Sequence, residues 1–265
     1  MIEVPQVVTI AGIDSSGGAG VNADLKTFHN QHVYAASIIV GLTAQNTYGV
    51  QALAPTDLAF LDEQFKSVAA DLSIQAAKTG ALFDAEHVVN VATNLKKYAF
   101  GKLVVDPVMV AKGGAKLLSD EAIEAVRTKL LPLAFLATPN LAEAAVLVGH
   151  EIKNQAEMEA AAYEIQALGT QNVLIKGGHL VDDESTQVSD FILFADGTSR
   201  WLRAPRIDTV RTHGTGDTIS AYITANLAKG QELKDIIDGA KEFITAAIAQ
   251  TINVGHGHGP LNHWV

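Results

Sequence analysis

The sequence predicts an α/β fold in which one mostly parallel sheet lies between layers of helices. Short runs rich in Val, Ile and Ala alternate with stretches of helical periodicity along most of the chain. Most of these runs are continuously apolar, which is typical of strands buried on both faces. No repeat and no Pro/Gly/Ser-rich linker interrupts the 265 residues. We therefore expect a single domain covering residues 1–265, with each helix returning the chain to the same edge of the sheet.

The N-terminal part of the chain predicts a strand, a loop, a helix and a second strand. Residues 7–13 form a β-branched apolar run that ends in a glycine-rich loop, and helical periodicity follows over residues 21–28. Residues 33–42 contain too many Val and Ile residues for a surface helix and are predicted as a buried strand. Asp57 is a predicted N-cap, because apolar residues recur at helical spacing over residues 58–72.

Strands and helices alternate over the middle of the chain. The predicted strands are 74–79, 102–108, 135–138 and 172–175, and the predicted helices are 84–98, 119–131, 141–147 and 156–168. Asp196-Gly197 separates the strand-like residues 191–194 and 199–202, which indicates a hairpin. Helical periodicity over residues 215–227 and 233–251 completes the predicted fold.

The composition excludes several classes of protein. The chain has no Cys, so a disulfide framework, a thiolate zinc site and a cysteine nucleophile are excluded. With 19 basic and 29 acidic residues, its formal charge of −10 disfavours binding to nucleic acid or to an anionic membrane. The apolar stretches are shorter than the roughly 20 residues of a membrane span, and residues 1–5 do not resemble a signal peptide. We therefore expect a cytoplasmic protein with a small-molecule substrate.

Four loops at predicted strand or helix ends carry the residues best suited to ligand binding. Residues 12–20 are rich in Gly, which lets backbone N–H groups approach a ligand, although a plain strand-to-helix turn explains them as well. Asp106 follows a buried strand, where it either holds Mg²⁺ through water or forms an Asx turn. Asn140 and Glu143 have the spacing of a capping box, which competes with a role in catalysis.

The fourth loop, residues 212–218, opens a predicted helix with Gly214, Thr215 and Gly216. The free backbone N–H groups and the helix dipole at such a start predict a phosphate or oxyanion site. Asp217 lies in the first helical turn, where it either accepts a proton or only stabilises the helix.

Other phosphate-binding signals are mixed. Lys176 directly follows a buried strand, where its ammonium either meets phosphate oxygens or extends into solvent. The chain lacks the Walker pattern, and its first strand–helix turn lacks the dinucleotide fingerprint. A P-loop NTPase and a Rossmann dehydrogenase are therefore disfavoured.

Eight motifs of the chain together indicate a family. They are Thr9-Ile10-Ala11-Gly12, Ser16-Gly17-Gly18-Ala19-Gly20, Ala23-Asp24-Leu25-Lys26-Thr27, Ala44-Gln45-Asn46-Thr47, Asp106-Pro107-Val108-Met109, Thr138-Pro139-Asn140, Lys176-Gly177-Gly178-His179 and Thr212-His213-Gly214-Thr215-Gly216. These motifs resemble those of the hydroxymethylpyrimidine/phosphomethylpyrimidine kinases of thiamine biosynthesis, and the match runs in order from Thr9 to Pro260. This family has the ribokinase-like fold, and its near relatives include pyridoxal kinases. The resemblance implies a three-layer α/β/α sandwich with a central, mostly parallel sheet.

The resemblance also implies a reaction. The γ-phosphoryl group of ATP, with Mg²⁺ as the metal ion, is transferred to the hydroxymethyl group of a heteroaromatic ring. Asp217 then takes the proton of the acceptor hydroxyl, and the backbone of Gly214, Thr215 and Gly216 binds the developing charge.

Further site residues follow from the same resemblance. The residues expected to bind the nucleotide are Lys176, Asn140 and Thr212. The residues expected to organise Mg²⁺, mostly through water, are Asp106 and Glu143. The residues expected to bind the substrate are Gly12, Ala19, Asp24, Gln45 and Met109. Gln45 favours a pyrimidine, because an amide suits an aminopyrimidine edge, whereas the pyridoxal branch typically carries Met there. Family members are often dimers, so we expect a homodimer.

One position departs from the family pattern. Cys usually follows the Gly-Thr-Gly motif in these kinases, whereas Asp217 stands there in this chain, as in ribokinase-like sugar and nucleoside kinases. Phosphoryl transfer needs positioning and charge neutralisation more than a strong base, so the reaction can tolerate the exchange. The alternatives are a pyridoxal or pyridoxine kinase and a ligand-binding protein without activity. Phosphorylation of the pyrimidine monophosphate is left open.

Overall fold

A nine-stranded sheet runs through the computed structural model, which describes residues 2–109, 118–178 and 186–265. The strands are β1 Gln6–Asp14, β2 Tyr34–Asn46, β3 Gly49–Pro55, β4 Ala76–Thr79, β5 Lys102–Val105, β6 Leu136–Ala137, β7 Asn172–Ile175, β8 Gln187–Leu193 and β9 Ser199–Pro205. Their order across the sheet is β3-β2-β1-β4-β5-β6-β7-β8-β9. The strands from β2 to β7 in this order are parallel neighbours, and β3, β8 and β9 add antiparallel pairs at the two edges.

Eight α-helices lie in the described part of the chain. They are α1 Gly20–Asn30, α2 Leu58–Asp71, α3 Ala85–Lys97, α4 Asp120–Ala125, α5 Leu141–Val148, α6 Gln155–Ala167, α7 Thr215–Ala228 and α8 Leu233–Ala249. The predicted cap of α2 is confirmed, because the Asp57 carboxylate accepts the N–H groups of Ala59 and Phe60. After α4 the chain continues through a π-helical turn and then a 3₁₀ turn that contains Pro132, which has no N–H for a regular helix.

Alternate residues of the central strands face two separate hydrophobic cores. Leu103 and Val105 of β5 pack against the core that α2 to α6 share, whereas Val104 packs against the core of α1, α7 and α8. Burial of each such side chain stabilises the fold by about 1.5–3 kcal/mol. The helices therefore form one layer on each face of the sheet, as predicted.

Among the strands, two differences from the predictions have a clear physical reason. The first is β3, which is absent from the predicted strands. Its residues after Gly49 are all exposed, so it has no buried face to produce an alternating pattern. The second is the predicted strand 102–108, which ends at Val105. Pro107 cannot donate to a neighbouring strand, and Val108 donates its N–H to the Asp106 carbonyl in a turn.

The carboxyl ends of β1, β4, β5, β6 and β7 meet at one edge of the sheet, because these strands are parallel. In open α/β sheets, ligands bind at this edge. None of the described helices combines the length and apolar character needed to cross a membrane.

Candidate active site

Lys78 at the end of β4 joins two carboxylates in a buried cluster. Its Nζ donates to Asp24 Oδ1 at 2.7 Å, to Asp24 Oδ2 at 2.9 Å and to Asp217 Oδ1 at 3.0 Å. Asp24 Oδ2 also accepts the Thr9 hydroxyl at 2.6 Å. An ammonium has three N–H donors, so these three contacts use all of them.

The charges of this cluster keep Asp217 ionised. Burial opposes ionisation of both Lys78 and Asp217, but charge interactions outweigh it. Asp24 and Asp217 hold the pKa of Lys78 above its usual value, and Lys78 holds the pKa of Asp217 below its usual value. Burial raises the pKa of Asp24 to about 7, although Lys78 opposes this shift. The Asp217 side chain is 14% exposed, whereas the side chains of Lys78 and Asp24 are fully buried. Asp217 is therefore the member of the cluster that can meet a substrate.

A second cluster lies at the ends of β5 and β7. Lys176 Nζ donates to Asp106 Oδ1 at 2.7 Å, and the Thr138 hydroxyl donates to the same oxygen at 3.1 Å. Burial opposes the charge of Lys176, but Asp106 and Glu143 outweigh it and raise its pKa above the usual value. Burial raises the pKa of Glu143 to about 7, against the charge of Lys176. Lys176 thus keeps its charge.

The predicted capping box of α5 is confirmed. The Asn140 side chain accepts the N–H of Glu143 at 2.9 Å, and Glu143 Oε2 accepts the N–H of Asn140 at 2.8 Å. Both residues therefore have a structural role at the start of the helix, next to the Lys176 cluster.

The start of α7 brings its backbone between these two clusters. Gly214 has a φ of +86°, and a Cβ there would lie 2.0 Å from the Gly18 carbonyl oxygen, so only glycine fits. A Cβ at Gly216 would lie 3.0 Å from both Asp106 Oδ2 and Lys176 Nζ. No described side chain caps this helix, which leaves its first-turn N–H groups available to an anion beside the lysine. The Thr215 hydroxyl instead donates to the backbone, at the Thr212 carbonyl.

The glycine-rich loop after β1 is held by hydrogen bonds to the carboxylate of Asp14, a residue of the loop itself. The Asp14 carboxylate accepts the N–H groups of Ser16 at 2.8 Å, Gly18 at 3.1 Å and Ala19 at 3.0 Å. Burial opposes ionisation of Asp14, but hydrogen bonds from His213 and Ser16 outweigh it and lower its pKa to about 2. The expectation that these N–H groups approach a ligand is therefore wrong in this structure, because Asp14 already accepts them.

His213 and Gln45 meet across the site. His213 Nε2 lies 2.8 Å from Asp14 Oδ2 and 3.2 Å from Gln45 Nε2, and Gln45 Oε1 accepts the Thr43 hydroxyl at 3.1 Å. His213 Nε2 donates to the Asp14 carboxylate, so it cannot also accept from the Gln45 amide. The Gln45 amide thus lies at the site and is partly exposed.

The structure brings the predicted residues Asp217, Gly214, Gly216, Asp106 and Lys176 together. The remaining predicted residues with partly exposed surface are Ala19, Gln45, Asn140, Thr212 and Thr215. Of the motif residues, His179 lies outside the described ranges.

Three predicted substrate contacts need correction because the structure buries these residues against other parts of the chain. Asp24 is fully buried and holds Lys78. Met109 is fully buried in a hydrophobic core, and its N–H group bonds Glu143. Gly12 is buried within β1, where a Cβ would collide with the Phe83 ring.

A family model described as phosphomethylpyrimidine kinase matches residues 14–262. The chain belongs to the phosphomethylpyrimidine kinase family. The hydroxymethylpyrimidine/phosphomethylpyrimidine kinase of Haemophilus influenzae is 48% identical over 264 residues, which cover 100% of this chain and 98% of that protein.

Two solved structures show the same fold as this family member. The ADP complex of Bacillus subtilis pyridoxal kinase has a TM-score of 0.89 and 37% identity and covers 98% of both chains. The Staphylococcus aureus pyridoxal kinase in complex with AMP-PCP and pyridoxal has a TM-score of 0.89 and 30% identity, covering 99% of this chain and 94% of that one. The predicted ribokinase-like sandwich is thereby confirmed.

Sequence reasoning gave no role to three site residues of this phosphomethylpyrimidine kinase family member: Lys78, Asp14 and His213. A signal for Lys78 was present, since a lysine inside an otherwise apolar buried strand requires a buried partner. The pairing of Asp14 with His213 joins residues 199 positions apart, and no local pattern indicates it.

Proposed function

We propose that this chain transfers the γ-phosphoryl group of ATP to the hydroxymethyl group of hydroxymethylpyrimidine in thiamine biosynthesis, with the monophosphate as a second acceptor. The observation that carries this proposal is the ionised Asp217 at the start of α7, beside free N–H groups and Lys176. The name of the Haemophilus influenzae relative supports the substrate. The ADP and AMP-PCP complexes of the pyridoxal kinases support the use of ATP.

The two clusters have different roles in the proposed reaction: the Asp217 cluster acts on the acceptor and the Lys176 cluster acts on ATP. The acceptor oxygen forms a bond to the γ-phosphorus as the bond to the ADP oxygen breaks, and Asp217 accepts the hydroxyl proton. The N–H groups of Thr215 and Gly216 stabilise the charge on the transferred phosphoryl oxygens. Lys176, held by Asp106, neutralises charge on the ATP phosphates.

We expect Mg²⁺ to be held mainly by the ATP phosphates. Within the described residues, no three His, Cys, Asp or Glu side chains are placed to ligate a metal together. Asp106 and Glu143 are nevertheless two carboxylates beside one phosphate-binding lysine, a donor set that suits a hydrated Mg²⁺. When bound, the ion would neutralise charge between the transferred and leaving phosphates.

A coupled assay that measures ADP formation tests the proposed function. We expect turnover with hydroxymethylpyrimidine and its monophosphate, and less with pyridoxal. The second candidate is pyridoxal kinase activity, which the likeness to the two pyridoxal kinase structures favours. Preference for pyridoxal would replace the first proposal with the second, and no ADP formation with any of the three compounds would indicate a binding protein.

Lys176→Ala is expected to weaken the binding of ATP while leaving binding of hydroxymethylpyrimidine alone nearly unchanged. The variant removes the cation at the phosphates but touches no group near Gln45. Calorimetry with each ligand separately is the measurement. Lys66→Ala is the control, since Lys66 is an exposed lysine on α2. Equal weakening of both ligands in Lys176→Ala would contradict the assignment to ATP.

Gln45→Met is expected to lower kcat/KM for the pyrimidine and to favour pyridoxal. Loss of a buried hydrogen-bond pair costs about 1–3 kcal/mol, which is on the order of ten- to a hundredfold. Gln51→Met is the matched control, because Gln51 carries the same amide on the exposed strand β3. The ratio of the two kcat/KM values is measured for each variant. An unchanged ratio in Gln45→Met would show that another residue selects the ring.

We also propose a homodimer that works in the cytoplasm, where ATP is available. The β2–β3 hairpin forms one edge of the sheet and exposes Leu42, Tyr48, Val50 and Leu53. A sheet edge with exposed apolar side chains favours pairing with a second copy. The mass in solution, twice 28.0 kDa for a dimer, tests this part of the proposal.

A further inference from the structure

We propose that Lys78 is a positioning residue for phosphoryl transfer, which holds the Asp217 carboxylate by Oδ1 from the buried side and leaves its exposed part to the acceptor hydroxyl. This inference rests on the proposed role of Asp217 as the base. The sequence motifs assign no role to Lys78.

Lys78 cannot act on a ligand directly. Its side chain is fully buried, and its three N–H donors are used by Asp24 and Asp217. Any effect of Lys78 on the reaction must therefore pass through one of these carboxylates. Only Asp217 has exposed surface, so it is the one that can transmit the effect.

Neutralising the charge of Asp24 does not by itself explain why Lys78 also contacts Asp217. Asp24 already receives two hydrogen bonds from Lys78 and a third from Thr9. The remaining donor of Lys78 reaches Asp217 in another element and so joins β4 to the first turn of α7. Lys78 thus holds Asp217 Oδ1 from the buried side, and the ionised carboxylate keeps an exposed part at which it can accept a proton.

Groups from neighbouring elements also act on the cluster of Asp24, Lys78 and Asp217. Lys176 and the Gly20 N–H act on Asp217, and Asp106 acts on Lys78. His263, near the C-terminus, also lies within electrostatic range of Asp217; burial lowers the pKa of His263 to about 4, so it is neutral near pH 7. Lys78 is thus the only described cation that contacts the Asp217 carboxylate directly.

A double-mutant cycle tests the proposal. Lys78→Met is combined with Asp24→Asn, so that removal of the cation leaves no unpaired buried carboxylate. In the chain that retains Asp217, we expect this pair of substitutions to lower kcat about ten- to a hundredfold, with the KM for ATP changed less than threefold. In the Asp217→Asn background we expect the same pair to change the residual kcat less than threefold. Asp24→Asn alone retains Lys78 and is expected to lose less activity than the pair.

The pH profile gives a second readout that a purely structural role would not move. Loss of Lys78 removes the main charge that lowers the pKa of Asp217, while burial still raises it, so we expect this pKa to rise. Since the base must be ionised, the acid limb of kcat/KM should then move to higher pH. If the Lys78→Met pair melts below the assay temperature, Lys78→Gln with Asp24→Asn replaces it, because this pair keeps a hydrogen-bond donor without the charge and predicts the same shift.

The outcomes separate this inference from the proposed function. An equal loss of kcat in both backgrounds, or an acid limb that does not move, would overturn the role of Lys78. Near wild-type activity of Asp217→Asn would instead overturn the role of Asp217 as the base and, with it, the positioning role.

Discussion

Asp217→Asn is expected to lower kcat about 10²–10⁴-fold, the usual range for loss of a general base. Asn preserves the shape of the side chain, but its amide cannot accept the proton of the acceptor hydroxyl. The KM for ATP should change little, because Lys176 and the first-turn N–H groups remain. Initial rates at saturating ATP and hydroxymethylpyrimidine are the measurement.

Asp235→Asn is the matched control for this variant. Asp235 occupies the first turn of α8, so the same substitution there reports the loss of a helix-stabilising acid alone. We expect Asp235→Asn to retain wild-type kcat. Asp217→Asn within a few-fold of wild type would reduce Asp217 to the same helix-stabilising role.

Asp217→Cys tests whether the usual family residue can do the same work. An ordinary thiol has a pKa of about 8.5 and is mostly ionised only above that pH. We therefore expect partial activity that rises with pH through that range. The same pH profile as the wild-type enzyme would argue that residue 217 does not take the proton.

Gly214→Ala is expected to lower kcat about 10²–10³-fold, the range for loss of an oxyanion-binding donor. The added Cβ would lie 2.0 Å from the Gly18 carbonyl oxygen, so the start of α7 must move and its N–H groups lose their alignment. Steady-state kinetics with circular dichroism separate this loss from unfolding.

Gly230→Ala provides the control for backbone strain. Gly230 has a φ of +79°, close to that of Gly214, but a Cβ there meets no described atom within 4 Å. Both variants therefore carry a similar left-handed strain of about 1–2 kcal/mol. The backbone strain is expected to lower the Tm of both variants by a similar amount. Only Gly214→Ala is expected to lose kcat. Full activity of Gly214→Ala would exclude a catalytic role for this backbone.

The sequence was sufficient for those parts of the fold that local patterns encode. Buried strands such as β7 and capped helices such as α5 carry their signal in consecutive residues, and both are confirmed. The exposed strand β3 carries none, because it is defined by its pairing with β2. The single-domain assignment stays a prediction.

Some residues of the candidate site could likewise be predicted from local patterns, and others could not. Asp217, Lys176 and Asp106 could be found because each follows a glycine motif or a strand end. The partners of Lys78 could not, since Asp24, Lys78 and Asp217 come from α1, β4 and α7 and meet only in the folded chain. The sequence also could not show that Asp14 accepts the N–H groups of Ser16 and Ala19. A glycine-rich loop has the same sequence pattern whether its N–H groups bind a ligand or a carboxylate of the loop itself.

The hydrogen bond between Asp14 and His213 links the loop after β1 to the segment before α7. Asp14 fixes the loop after β1, and His213 precedes Gly214 at the start of α7. Ordering of flexible segments normally opposes association. Here the entropy of two loops is lost when the protein folds, so the site is preorganised and a small substrate does not have to immobilise either loop on binding.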